Sequence, residues 1–105
     1  MGTTVPDVRQ RARDFLANNY PNPFNPTTTI HYGVREQGHV TLRIYNVAGQ
    51  LVRTLVDDVR MPLAGGYTAR WDGRSRAGQP VASGVYFYKL STRSFAKTKK
   101  MVLLK

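Results

Sequence analysis

From Thr27 onward apolar and polar residues alternate with period two, and that pattern restricts the chain to β structure. Thr28, Ile30 and Tyr32 share one face, while His31 points the other way. Val40, Leu42 and Ile44 alternate with Thr41, Arg43 and Tyr45. Asn46-Val47-Ala48-Gly49 closes a turn, with Gly49 able to take positive φ. Leu51 to Val56 runs back, but its apolar residues do not alternate strictly, which predicts a bulge or a strand buried on both faces. Pro62 to Gly66 reads as a loop. Tyr67, Ala69 and Trp71 then alternate with Thr68 and Arg70, so the single tryptophan faces inward. Asp72-Gly73 through Gly78-Gln79-Pro80 is a long turn. Tyr86, Tyr88 and Leu90 share a face in Val85 to Ser91, and Ser94 turns the chain into a last strand, Phe95 to Leu104. Six to seven short strands with turn signals between them predict an all-β, immunoglobulin-like antiparallel sandwich.

Ahead of the strands lies Asn19-Tyr20-Pro21-Asn22-Pro23-Phe24-Asn25-Pro26. Proline fixes φ and lacks a backbone donor, and it biases the preceding residue toward extended geometry, so this run is neither helix nor central strand. It predicts a stiff lead-in arm pinned to the body by Tyr20 and Phe24. Residues 1–18 are polar and basic. Val8, Ala12, Phe15 and Leu16 sit at helical spacing, but so short a segment is marginal as an isolated helix. The expected division is a linker remnant, flexible or briefly helical, over 1–18 and a sandwich over 19–105.

The 105 residues make one domain and contain no cysteine, so no disulfide framework stabilises it. No apolar run is long enough for a transmembrane helix. Met1-Gly2 reads as an expression start, not a secretory leader, so an export signal is expected upstream in the parent protein. The net charge of +10 biases the surface toward anionic partners. Arg9, Arg11 and Arg13 form one basic group, and Lys97, Lys99, Lys100 and Lys105 another. Charged strand edges also resist edge-to-edge pairing.

Chemistry is poorly represented. His31 and His39 are separated by a turn, with no cysteine or carboxylate cluster to complete a metal set. Asp72 with Asp57 and Asp58 could offer oxygen ligands to calcium, but Asp72-Gly73 reads as a turn and the other pair as a strand end. Ser83-Gly84 lacks the strand–Ser–helix context of a nucleophile elbow. Tyr45 and Phe87 are the outward rings of their strands. They could stack a base or hold a sugar, and the nucleic-acid reading is set aside because alternation puts the other rings in the core. The expectation is a protein that is not an enzyme, with no cofactor, no metal site and no nucleic-acid partner.

The ordered motifs resemble the type A C-terminal sorting domains of the type IX secretion system. They are Asn19 through Thr28; Val40-x-Leu42-x-Ile44-Tyr45-Asn46-x-x-Gly49-x-x-Val52-x-x-Leu55; Gly65-Gly66-Tyr67; Trp71-Asp72-Gly73; Gly78; Ser83 through Tyr88; and the tail Lys100 to Lys105. Asn46 stands where that family often has aspartate, and no family motif covers Arg9 to Arg13. The sandwich is also similar to the immunoglobulin-like domain of flagellar hook-capping proteins.

The resemblance implies an address. Such domains end exported proteins of Bacteroidetes-type bacteria, whose cargo folds in the periplasm and crosses the outer membrane through a translocon to the cell surface or beyond. In many members a sortase removes the domain and attaches the cargo to a lipopolysaccharide, with cleavage expected before Tyr20. Lys105 directly follows the last strand, so the natural C-terminus is expected here. The lysines Lys97, Lys99, Lys100 and Lys105 are the expected partner-recognition residues, with strand addition at the last edge as a docking mode. Exchange of a terminal strand between two copies is a dimer mode open to such a sandwich. The alternative is an immunoglobulin-like surface module that binds carbohydrate or another protein.

Overall fold

A computed structural model describes residues 12–105. Seven strands form two antiparallel sheets. They are β1 (Phe15–Leu16), β2 (Thr28–Gly33), β3 (Gly38–Tyr45), β4 (Leu51–Arg60), β5 (Tyr67–Trp71), β6 (Gly84–Ser91) and β7 (Ala96–Leu103). One sheet has the order β1-β2-β5 and the other β4-β3-β6-β7. The all-β sandwich expected from alternation is the fold observed.

The inward faces are those the period predicts. Ile30 and Tyr32 from β2, Val40, Leu42 and Ile44 from β3, Trp71 from β5, Tyr88 and Leu90 from β6, and Met101 and Leu103 from β7 are all buried in one core. Trp71 is at its centre, packed edge-on against Tyr86 at 5.3 Å and tilted against Phe24 at 5.7 Å between ring centroids.

β4 carries the irregularity expected of it. Its register against β3 shifts between Leu42 and Arg43 and again between Ile44 and Tyr45, leaving Leu55 and Val52 as the extra residues. Each bulge re-aims a side chain, and Val52, Leu55 and Val56 all reach the core as a result. The strand is also longer than its sequence suggests. Asp57 and Asp58 do not end it; they pair with Thr41 and Val40, and β4 continues to Arg60. Pairing with the whole length of β3 outweighs the poor strand preference of two aspartates.

The stretch read as linker remnant or helix contains a strand. Phe15 and Leu16 pair with Gly33 and Tyr32 of β2, and Ala12 and Leu16 are buried. Asp14 accepts hydrogen bonds from the Arg35 amide at 2.9 Å and the Ser94 hydroxyl at 2.9 Å, so packed structure begins well before Asn19. Val8, Arg9 and Arg11 lie outside the described residues. Gly66 explains the tight loop before β5: its φ is 75°, and a Cβ there would come within 2.5 Å of the Tyr32 carbonyl oxygen.

Candidate functional site

The proline arm changes sheets. At its start it belongs to the three-stranded sheet: the Ala17 amide donates to His31 O at 2.9 Å, and Tyr20 and Thr29 exchange backbone bonds at 2.9 Å each. A few residues later it belongs to the other sheet. The Phe24 amide donates to Val102 O at 3.0 Å, the Leu104 amide donates to Phe24 O at 3.0 Å, and the Val102 amide donates to Asn22 Oδ1 at 3.0 Å. The arm thereby closes one side of the sandwich. It also covers the C-terminal end of β7, an edge strand whose backbone groups would otherwise be unpaired there.

Three devices hold the arm. The Tyr88 hydroxyl, wholly buried, donates to Ala17 O at 2.7 Å and accepts from the Asn19 amide at 2.9 Å. Asn19 turns inward and donates to Thr28 Oγ1 at 3.0 Å. Phe24 packs into the core against Trp71. Burial pushes the Tyr88 phenol above its ordinary pKa. The expectation that Tyr20 pins the arm is corrected: its ring is 81% exposed. In the bridge to Thr29 the inward position falls to its neighbour Asn19, which alternation then forces Tyr20 away from.

The Trp-Asp-Gly motif is the arm's other seat. The Trp71 indole donates to Arg74 O at 2.9 Å, and Asp72 Oδ1 accepts from the Arg74 amide at 3.1 Å. Gly73 has φ 74°, and a Cβ there would sit 2.9 Å from Pro26 O. Only glycine allows the turn and this close approach together.

The four lysines expected to recognise a partner do not form one cluster. In β7 the side chains alternate, and Lys97 and Lys99 fall on the same side as buried Met101 and Leu103, opposite Leu90 and Tyr88. Lys99 Nζ donates to Asn18 Oδ1 at 2.9 Å, and Lys97 is exposed. Lys100 is on the outer face, opposite Phe87. Lys105 lies past the strand; its amide donates to Ser83 Oγ at 3.0 Å, and it lines a groove with Pro26, Asp72, Gly73 and Pro80.

The edge itself is the clearer feature. Val102 turns its N–H and C=O toward the arm, so Ala96, Thr98 and Lys100, at the same parity in an unshifted register with β6, turn theirs outward too. The arm stops short of them. The edge expected to be open is therefore covered at Val102 and Leu104 and open from Ala96 to Lys100.

The rival sites disperse. His31 Nε2 bonds Gly65 O on one sheet, and His39 Nε2 bonds Asp57 Oδ1 on the other. Asp58 pairs with Arg60 at 3.1 Å and Asp72 with Arg53 at 3.4 Å. The Val59 amide, then Arg60, hold the exposed Asp58 carboxyl below its usual pKa. Among the described residues, no three His, Asp or Glu side chains gather as metal ligands, and no helix is long and apolar enough to cross a membrane.

Seven strands in antiparallel sheets of three and four, packed as a sandwich, fit the immunoglobulin-like class. The chain belongs to the FlgD Ig-like domain family, which residues 27–94 match, in line with the expected kinship to hook-capping proteins. No curated protein matches it. Among solved structures it is similar to dimeric latent PorU from Porphyromonas gingivalis, with a TM-score of 0.69 and 24% identity over 85% of this chain and 9% of that one. It is also similar to PorZ, described as an essential bacterial surface component of the type-IX secretion system of Porphyromonas gingivalis. There the TM-score is 0.61, with 23% identity over 84% of this chain and 11% of that one. The likeness is one of fold, to a small part of each of those chains.

Proposed function

We propose that this chain is a sorting domain that carries an N-terminally attached cargo across the bacterial outer membrane through the type IX secretion system, with no catalysis of its own. The observation that carries the reading is the half-covered edge of β7: a rigid brace over Val102 and Leu104, and open backbone from Ala96 to Lys100. An open edge of this length is a template for strand addition by a partner, with backbone bonds supplying affinity and flanking side chains selectivity. Lys97 and Lys99 on one side and Lys100 on the other would favour an acidic partner strand. The ordered motifs and the fold shared with a type IX secretion component support this reading.

The outer-membrane translocon is the proposed reader, and the cell surface or the medium the destination after passage through the periplasm. Where a sortase cuts, the bond would lie ahead of Phe15, because β1 is already paired into the sheet. The test is a folded reporter fused ahead of residue 1, expressed in a host with a type IX translocon and in the same host lacking it. Surface or medium reporter is expected only in the first. Equal distribution in both hosts would end the reading. Deleting Lys100 to Lys105 is a poor substitute, because it removes Met101 and Leu103, both fully buried, and so tests folding.

A further inference from the structure

The outer face of the four-stranded sheet carries side chains that the core does not use. The register arranges them in rows. Leu51, Tyr45, Phe87 and Lys100 form one row, and Thr54, Arg43, Lys89 and Thr98 the next. Tyr45 and Phe87 are directly opposite each other, and so are Arg43 and Lys89. Like charges directly opposite on neighbouring strands repel, and Lys100 adds a third cation on the diagonal. Among the described residues, ion pairs join His39 to Asp57, Arg53 to Asp72 and Arg60 to Asp58, and none reaches these three cations. Asp57, a row further on beside Thr41, is engaged by His39. The Nε of Arg43 is buried without a hydrogen-bond partner, so the head group is held down at the sheet surface instead of swinging in solvent.

We infer that this face binds an acidic polysaccharide, with Arg43, Lys89 and Lys100 taking its carboxylates or sulfates and the Tyr45–Phe87 ring pair packing against sugar faces. Anionic groups relieve the repulsion between the opposed cations, and the protein's net charge of +10 draws such a polymer in. Threonine hydroxyls at both ends of the cationic row, Thr54 and Thr98, suit sugar hydroxyls. The face sets two rings beside three cations in adjacent rows, whereas the buried centres of protein–protein interfaces are depleted of charge. This face shares Lys100 and Thr98 with the β7 edge, but it uses their outward side chains where strand addition uses backbone groups, and it stands whether or not the chain is a sorting domain.

The test is affinity electrophoresis of the full chain through gels containing polygalacturonate, heparin, neutral dextran, poly-glutamate or a single-stranded oligonucleotide. Retardation by polygalacturonate or heparin and none by dextran is expected. Lys89→Gln with Lys100→Gln should weaken it about tenfold, the scale of losing two solvent-exposed charge contacts. Lys97→Gln with Lys105→Gln, the same change of charge elsewhere, should leave it nearly intact. Phe87→Ala should weaken it at every salt concentration, because ring packing is not screened. Intrinsic fluorescence of buried Trp71 confirms that each variant is folded. No retardation by either acidic polysaccharide, equal loss in both lysine pairs, or tighter binding of poly-glutamate or the oligonucleotide would each overturn the inference.

Discussion

Replacing Tyr88 by phenylalanine removes one oxygen and tests how the arm is held. That oxygen accepts from the Asn19 amide at 2.9 Å and donates to Ala17 O at 2.7 Å. Asn19 is buried, so its amide is left without a partner, at about 1–3 kcal/mol. Ala17 is half-buried, and water can replace part of its bond. The sum is about 2–4 kcal/mol. Tyr86→Phe is the matched control. Its hydroxyl donates only to Ala82 O at 2.6 Å, and Ala82 is exposed, so the cost is about 0.5–1.5 kcal/mol. Urea titrations of both variants measure the difference, and amide exchange at Asn19 should accelerate only in the Tyr88 variant. Equal destabilisation of the two would refute the claim that Tyr88 fastens the arm.

Other expectations follow from the same packing. Trp71→Ala should cost about 3–5 kcal/mol, since the ring is fully buried between Phe24 and Tyr86, and denaturation midpoints measure it. Gly73→Ala should destabilise by about 1–2 kcal/mol for the left-handed backbone alone, and more for the approach to Pro26 O; a neutral result by calorimetry would mean the arm is not seated there. Burial raises the phenols of Tyr86 and Tyr88, so their contribution is complete below pH 10.0, the unfolded value, and is lost as pH rises from there through the folded values. Alkaline titration of stability should show this loss, and Tyr88→Phe should reduce its pH-dependent part.

Local pattern carried much of the fold. Alternation in Val40–Tyr45, Tyr67–Trp71 and Val85–Ser91 named the inward faces, and broken alternation in Leu51–Val56 announced the bulges, because period is a property of neighbouring residues. What depended on distant partners was hidden. β1 is two residues long and exists only against Gly33 and Tyr32. Asp57 and Asp58 are strand residues only because β3 runs beside them. Along the sequence the lysine tail is one basic group, but in a strand alternate lysines leave on opposite faces, and the core takes the side of Met101 and Leu103. The proline run signalled stiffness; that it braces β7 follows from contacts across some eighty residues of chain, for which sequence offers no local sign. The opposed Arg43 and Lys89 were equally hidden, since their meeting requires the β3–β6 register.

The open stretch of β7 is tested most directly by Thr98→Pro in a reporter fusion. The Thr98 amide faces away from β6, so proline there removes no bond of the sheet but blocks an added strand. The account predicts a variant that keeps the wild-type denaturation midpoint and loses export through the type IX translocon. A folded variant exported at the wild-type level would contradict it.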